Sequence, residues 1–266
     1  MRHCYVLSVF TRNGGGGNPL GVIPDTTGLD SAAMQAIAGD LHFETAFIDW
    51  KSEGMPRVRI FTGRKEIPFA GHSLVGVAYV LNQMGPGVSK VMCSVGEVAM
   101  EPDPDGSWIV APDMERPVQE VTSSAAELAS SIGMPAGEKA WLVEVPSRLL
   151  LIQLPDDSEV AAVRPDLDVI RTQSFANGIY VFARHGEHVH ARLFAPGVGV
   201  NEDPASGSAA VALVELLRRQ GEPRGSLVIE QGEEMGAPSL IRVRWTEDRI
   251  EIGGSVRSEG VRVLDV

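Results

Sequence analysis

A chain of 266 residues with 44% hydrophobic and 22% charged residues has the make-up of a folded globular protein and room for one large or two medium domains. Its net charge of −12 and the lack of a basic stripe weigh against nucleic acid or an anionic membrane surface as a partner, and no apolar stretch is long enough to span a bilayer. The two cysteines, Cys4 and Cys93, lie in apolar strand-like stretches and read as reduced and buried, as in a cytoplasmic protein.

In chain order, the N-terminus has one early Arg and only a short apolar run, so it reads as a strand rather than a signal peptide. That strand covers Tyr5 to Phe10. NGGGGNP, Asn13 to Pro19, reads as a mobile loop before the apolar run Leu20 to Ile23. Asp30-Ser31 suits the N-cap of a helix over AAMQAIAGDL. Strands are expected at Phe43–Trp50 and Val58–Thr62, then a helix from about Ser73 to Met84, stopped at Gly85-Pro86-Gly87. Val- and Ile-rich strands follow at about 88–101 and 107–111. The polar stretch Pro112 to Val121 with its two prolines reads as a boundary between domains 1–114 and 115–266. Ser124 and Glu127 fit a capping box for a helix over SSAAELASSIG. Strands dominate afterwards, at Ala140–Val145, Arg148–Leu154, Gly178–Arg184 and His188–Ala195, before a helix at about Ser208–Gln220 and closing strands and turns.

Two segments repeat. Glu66 to Gly85 and Glu202 to Gly221 align without a gap, matching Glu66 with Glu202, Pro68 with Pro204, Gly71 with Gly207 and Gly85 with Gly221. Upstream, Arg59-Ile-Phe-Thr resembles Arg192-Leu-Phe-Ala, three residues out of register. Both repeated helices are apolar on nearly every face, as a buried helix is. The expected architecture is therefore α+β: two pseudo-symmetric domains, each a mostly antiparallel sheet wrapped around a central helix.

The repeat also marks candidate chemistry. A helix N-terminus offers backbone N–H groups and partial positive charge. Two such starts, with small residues at Ala70-Gly71 and Ser206-Gly207, would make a socket for carboxylates if they faced each other; the same glycines also suit plain tight turns. Within the motif, His72 stands where Ser208 stands, and Asp203 where Ile67 stands. His72 is either a proton carrier near neutral pH or a capping, hydrogen-bonded histidine. Asp203 either joins it or makes an ordinary turn before Pro204. Glu44, in His42–Phe47, shares a strand face with His42 and Ala46. Buried, it would have a raised pKa suited to acid–base catalysis; at the rim, it would be an ordinary solvated carboxylate. The glycine run at 14–17 lacks a phosphate-binding signature. His185, His188 and His190 have only Glu187 near them in sequence, so no metal site is expected. Ser208 and His72 lack the GxSxG context of a hydrolase.

GNPLGVI, ETAF, RIFTGRKEIPFAGH and FAPGVGVNEDPASGSA, running in this order from Gly17 with a late QGxxxGxPS echo at Gln231–Ser239, resemble the phenazine-biosynthesis PhzF-like family. The resemblance implies a diaminopimelate-epimerase-like fold with the site in the cleft between the domains, the C-terminal segment packing back on the first, and a homodimer. It implies a cofactor-free isomerase that moves a proton on a small carboxylate-bearing, often cyclic, molecule. By the same resemblance Glu44 is the base and acid, His72 and Asp203 assist proton transfer, and Asn18, Gly71, Ser73, Gly207 and Ser208 bind substrate. The chain departs from the family pattern at Phe43, where Ser is usual, at Gly63, where Pro is usual, and at Ala237, where Arg is common. Phe43 and Ala237 leave open an alternative, a binding or regulatory protein on the same fold without turnover. Cys4 and Cys93 lie away from the helix starts, which argues against a two-thiol racemase.

Overall fold

The computed structural model describes residues 1–50, 55–85, 87–121, 133 and 139–265. The capping box expected at Ser124–Glu127 lies outside them. Two units emerge: Met1–Met114 with Glu251–Val266, and Glu115–Ile250.

The first unit contains β1 (Arg2–Thr11), β2 (Asn18–Ile23), α1 (Ser31–Leu41), β3 (Glu44–Asp49), β4 (Arg57–Phe61), β5 (Glu66–Ile67), α2 (Gly71–Met84), β6 (Lys90–Cys93), β7 (Gly96–Asp103) and β8 (Gly106–Val110). The glycine-rich segment expected as a loop opens with a defined turn. Arg12 and Gly15 exchange both backbone hydrogen bonds at 3.0 Å, with Asn13 and Gly14 at φ 52° and 75°. Asn-Gly tolerates the two positive φ values of a type I′ hairpin turn, which matches the twist of its flanking strands. Asp30 caps α1, its carboxylate accepting the Ala33 N–H at 2.8 Å, as expected from its short acceptor side chain. The stretch expected as one strand at 88–101 is the hairpin β6–β7.

The second unit contains β9 (Val118–Glu120), β10 (Lys139–Val145), β11 (Ser147–Gln153), two short helices α3 (Asp157–Ala162) and α4 (Leu167–Thr172), β12 (Gly178–His185), β13 (His188–Ala195), β14 (Val200–Asp203), α5 (Gly207–Arg219), β15 (Gly225–Gln231) and β16 (Ser239–Trp245). The two short helices were not expected among the strands. Asp156 and Asp166 cap them, and Val160, Val163 and Ile170 seat them on Leu150, Ile179 and Phe194 of the sheet. A last strand, β17 (Ile250–Leu264), ends the chain.

The pairing pattern carries the duplication well beyond the repeated helix. In the first unit β1–β2 is antiparallel, β2–β3 parallel, β3–β4 antiparallel, β4–β6 parallel and β6–β7 antiparallel. In the second, β10–β11, β11–β12, β12–β13, β13–β15 and β15–β16 alternate in the same order. The first sheet closes on itself, because β17 pairs with β8 through residues 251–255 and with β1 through the rest of its length. A closed sheet leaves no open edge there and encloses α2, of which ten residues are buried. In the second unit α5 buries nine and packs on β9, β10, β11 and β16.

Each unit also repeats one ion pair. Arg59 forks onto Glu66 at 2.8 and 2.6 Å and lies 5.0 Å over the Phe61 ring. Arg192 forks onto Glu202 at 2.8 and 3.1 Å and lies 4.9 Å over Phe194. Two parallel N–H···O bonds fix a carboxylate in plane as well as in distance. In both units this ties a sheet strand to the short strand that follows it and leads into the buried helix. The two pairs differ in depth. The Arg192 side chain is 6% exposed and also donates to the Val163 carbonyl at 2.9 Å, whereas Arg59 is 23% exposed and its partner 41%. A buried partner left without its counter-charge is costly, and an exposed one rehydrates. Arg192→Met is therefore expected to cost about 3 kcal/mol or more and Arg59→Met about 1 kcal/mol or less, measured by urea denaturation.

Candidate active site

Glu44 is the first residue of β3, because the chain turns immediately before it. His42 ends α1 in the left-handed region, φ 63°. His42 therefore does not share a strand face with Glu44 as expected from the sequence. Side-chain alternation along β3 then sends Thr45 and Phe47 to one face and Glu44, Ala46 and Ile48 to the other. The first face packs on α1, where Phe47 meets Phe61 edge-to-face at 5.4 Å. The second face meets α2. Leu20 pairs with Glu44 across β2 and β3, and Asn18, two residues earlier and 7% exposed, lies on the same face.

The start of α2 completes the cluster. Its N-cap is Ala70, which has no side chain to close the first turn. Gly71, His72 and Ser73 follow, His72 being 4% and Ser73 0% exposed. The Ser73 hydroxyl donates to Glu44 Oε2 at 3.0 Å, and His72 Nε2 lies 3.5 Å from the same oxygen. His72 is thus the second residue of the helix and not its cap. The Glu44 side chain is only 21% exposed. Burial pushes its pKa from 4.5 up to about 7, with the Ser73 hydrogen bond pulling the other way. Desolvation penalises the charged form, whereas a donor to the carboxylate favours it. Of the two readings open from the sequence, the structure shows the mostly buried carboxyl.

In the second unit Asp203 ends β14, opposite Leu193. Its carboxylate accepts the Ala205 N–H at 3.3 Å and its carbonyl accepts the Gln231 side-chain N–H at 2.6 Å. Gly232, at φ 82°, lets the late QG segment approach: a Cβ there would stand 2.7 Å from the Pro204 carbonyl. The QGxxxGxPS element thus braces the EDP turn. Ser206 caps α5 through its hydroxyl, which accepts the Ala209 N–H at 3.2 Å and lies 3.1 Å from the Ser208 hydroxyl. Gly207 opens the helix. One neighbour of Asp203 was not singled out from the sequence. Tyr180 is wholly buried and pairs with Leu193, whose other partner is Asp203. Burial first, then the Asp203 charge, push its phenol pKa upward. No local motif flags it; only the strand register does.

The remaining candidates are placed elsewhere. Phe43 packs on the α1 side with Cys4, Met34 and Leu41, the face away from Glu44, and the Arg262 guanidinium stands 5.6 Å over its ring. Gly63 sits in a turn held by the Thr62 hydroxyl, which accepts from Arg64 and Lys65 N–H. The Ala237 N–H donates to Gly232, inside the same brace. His185 approaches Asp157 at 3.4 Å and His190 approaches Glu234 at 2.8 Å; among the described residues no group of three or more metal-binding side chains converges. Cys4 and Cys93 are free and buried. Among the described residues no helix is long and apolar enough to cross a membrane.

Phenazine biosynthesis-like proteins, the PhzC–PhzF family, match this chain over residues 7–262. The chain belongs to that family. Among curated relatives it is 31% identical to trans-2,3-dihydro-3-hydroxyanthranilate isomerase of Pseudomonas chlororaphis, over 96% of each chain. Among solved structures, a predicted epimerase from Pseudomonas aeruginosa superposes with a TM-score of 0.83 at 26% identity over 100% of both chains. A probable proline racemase from Agrobacterium radiobacter shares the fold alone, with a TM-score of 0.69 at 8% identity over 100% of this chain and 93% of that one. The α+β class with an epimerase-like fold holds, and the chain is an isomerase of the PhzF type.

A raised carboxyl pKa ties the site to stability. The folded state holds the Glu44 proton more tightly than the unfolded chain, so this group's contribution is full below pH 4.5 and is lost as pH rises through about 7. Glu44→Gln removes the buried charge. It is expected to stabilise the fold at pH 8 by roughly 3 kcal/mol, with the gain vanishing toward pH 4.5; urea melts across that range measure it, and a gain independent of pH would contradict the burial argument.

Proposed function

We propose that this PhzF-type isomerase moves a proton on a small, cyclic, carboxylate-bearing metabolite, with Glu44 as the group that takes the proton and returns it. The observation that carries the reading is the Glu44 carboxyl itself: desolvated, held by Ser73 and 3.5 Å from His72. A carboxyl with a pKa of about 7 exists in both forms near neutral pH, as a base that must also act as an acid requires.

In this reading the carboxylate removes a proton beside a carbonyl, carboxylate or conjugated system, and negative charge develops on the substrate. The uncapped start of α2, at Gly71, supplies oriented N–H groups and the positive end of a helix dipole for that charge. His72 shares or relays the proton, and the Ser73 hydroxyl holds the carboxyl of Glu44 in line. The protonated Glu44 then delivers the proton to another carbon or face. Asn18 orients the substrate, and Asp203, Gly207 and Ser208 contribute further binding and proton-transfer groups. These residues carry the steps without calling on a cofactor. The relative named for trans-2,3-dihydro-3-hydroxyanthranilate supports the substrate class, a ring bearing a carboxylate.

The test is solvent exchange. Wild-type protein incubated in D2O with trans-2,3-dihydro-3-hydroxyanthranilate, and with a panel of related cyclic carboxylates, is expected to place deuterium in one of them, read by mass spectrometry. Glu44→Gln should lower that rate by about 10²–10⁴-fold while the fold is kept; unchanged exchange would overturn the assignment. Because the first step needs the carboxylate, kcat/KM should rise with pH through about 7.

A further inference from the structure

The second unit holds a basic cavity that the isomerase reading does not use. It measures about 430 Å³ and is lined by Arg116, Val118, Glu215, Arg218 and Arg219. Among the described lining residues, three guanidinium groups share the cavity with one carboxylate, in a chain whose overall charge is −12. Arg116 and Arg218 each lie 3.1 Å from the same oxygen of Glu215. Their side chains are only 9% and 18% exposed. Arg218 is anchored further by the Thr246 and Arg249 carbonyls, the latter at 3.0 Å. Arg219 is exposed, and among the described residues it forms no ion pair.

Arg218 and Arg219 also sit at the C-terminal end of α5, where cations complement the helix dipole. That accounts for two arginines near the last turn but not for Arg116, which comes from the segment before β9 and brings its charge to the same carboxylate. Planar guanidiniums already held in place lose little freedom when they take up a second acceptor, and they match the paired oxygens of phosphate and carboxylate groups. We propose that this cavity is a binding site for a small dianionic oxyanion, of the phosphate or dicarboxylate type, separate from the Glu44 cluster. Arg116 and Arg218 would hold it from the walls and Arg219 from the mouth, with Glu215 bridging the first two and offsetting part of their mutual repulsion.

Inorganic phosphate and malonate serve as probes on the full chain, by isothermal titration and thermal melting at constant ionic strength against chloride. A saturable rise in melting temperature with either probe is expected. Arg219→Gln, at an exposed position that leaves folding intact, should weaken that affinity about tenfold. Arg116→Gln should abolish it, and where this variant fails to fold Arg219→Gln alone decides. Since the proposed substrate is itself an anion, His72→Gln is titrated in parallel and should keep the response. A response that does not saturate, or that survives unchanged in Arg219→Gln, overturns the site. So does one lost in His72→Gln but kept in Arg219→Gln, which would put the anion at the start of α2.

Discussion

A helix buried along most of its length must be enclosed, and that requirement organises both units. From Gly71 to Ala78 every residue of α2 is buried, so its environment has to be sheet on nearly all sides. The first sheet supplies this by closing through β17 onto β8. Enclosure fixes where the helix begins, and the beginning of α2 is where its backbone N–H groups are not consumed within the helix. The strand that starts alongside is β3, and its first residue is Glu44. A carboxyl placed there is largely shielded from water, 21% exposed, by the same packing that buries the helix. The depth of the Glu44 carboxyl is therefore a by-product of the scaffold's main demand, tempered by one hydroxyl from Ser73.

The two units are twins in construction and unequal in chemistry. Their strands pair in the same sequence of directions, and each carries an Arg–Glu fork beside a Phe ring. Following the register shows what stands where. Phe61 and Phe194 correspond, and they pair with Thr45 and Ile179 respectively. The residue before each is Glu44 in one unit and Gly178 in the other. Likewise His72 and Ser73 correspond to Ser208 and Ala209 in the aligned repeat. One copy keeps a carboxyl, an imidazole and a hydroxyl together; the other replaces them with nothing, a hydroxyl and a methyl. Scaffold positions are shared because both helices need the same enclosure, whereas at these three positions the carboxyl and the imidazole stand in one copy alone.

The fold was largely legible because its strongest signals are local. The apolar helices, the Asp30 cap and the Pro and Gly positions that bound the repeat can all be read within a few residues of chain. The short helices at Asp157 and Leu167 were not, since each has only six residues and is held by tertiary packing rather than by its own periodicity. The site was partly legible. His72 and Asp203 stand out as mismatches inside an aligned motif. Glu44 reads from the residues alone as more ambiguous, because its depth depends on contacts with α2, distant in sequence. The aligned repeat stops short of it, and only strand register shows Glu44 to lie within the duplication, opposite a glycine. Tyr180 and the Gln231 brace on Asp203 are invisible for the same reason: long-range pairing places them, and no motif announces it.

Burial is expected to hold the Glu44 carboxyl half-ionised near neutral pH. The most direct test is a carboxyl titration of the wild-type protein by carbon-13 NMR with labelled glutamate, the resonance assigned by its loss in Glu44→Gln. A midpoint near 7, lowered when the surrounding packing is opened to water, is the expected result. A midpoint near 4.5, the ordinary value for this side chain, would mean that the carboxyl is solvated and that burial does not shape its chemistry.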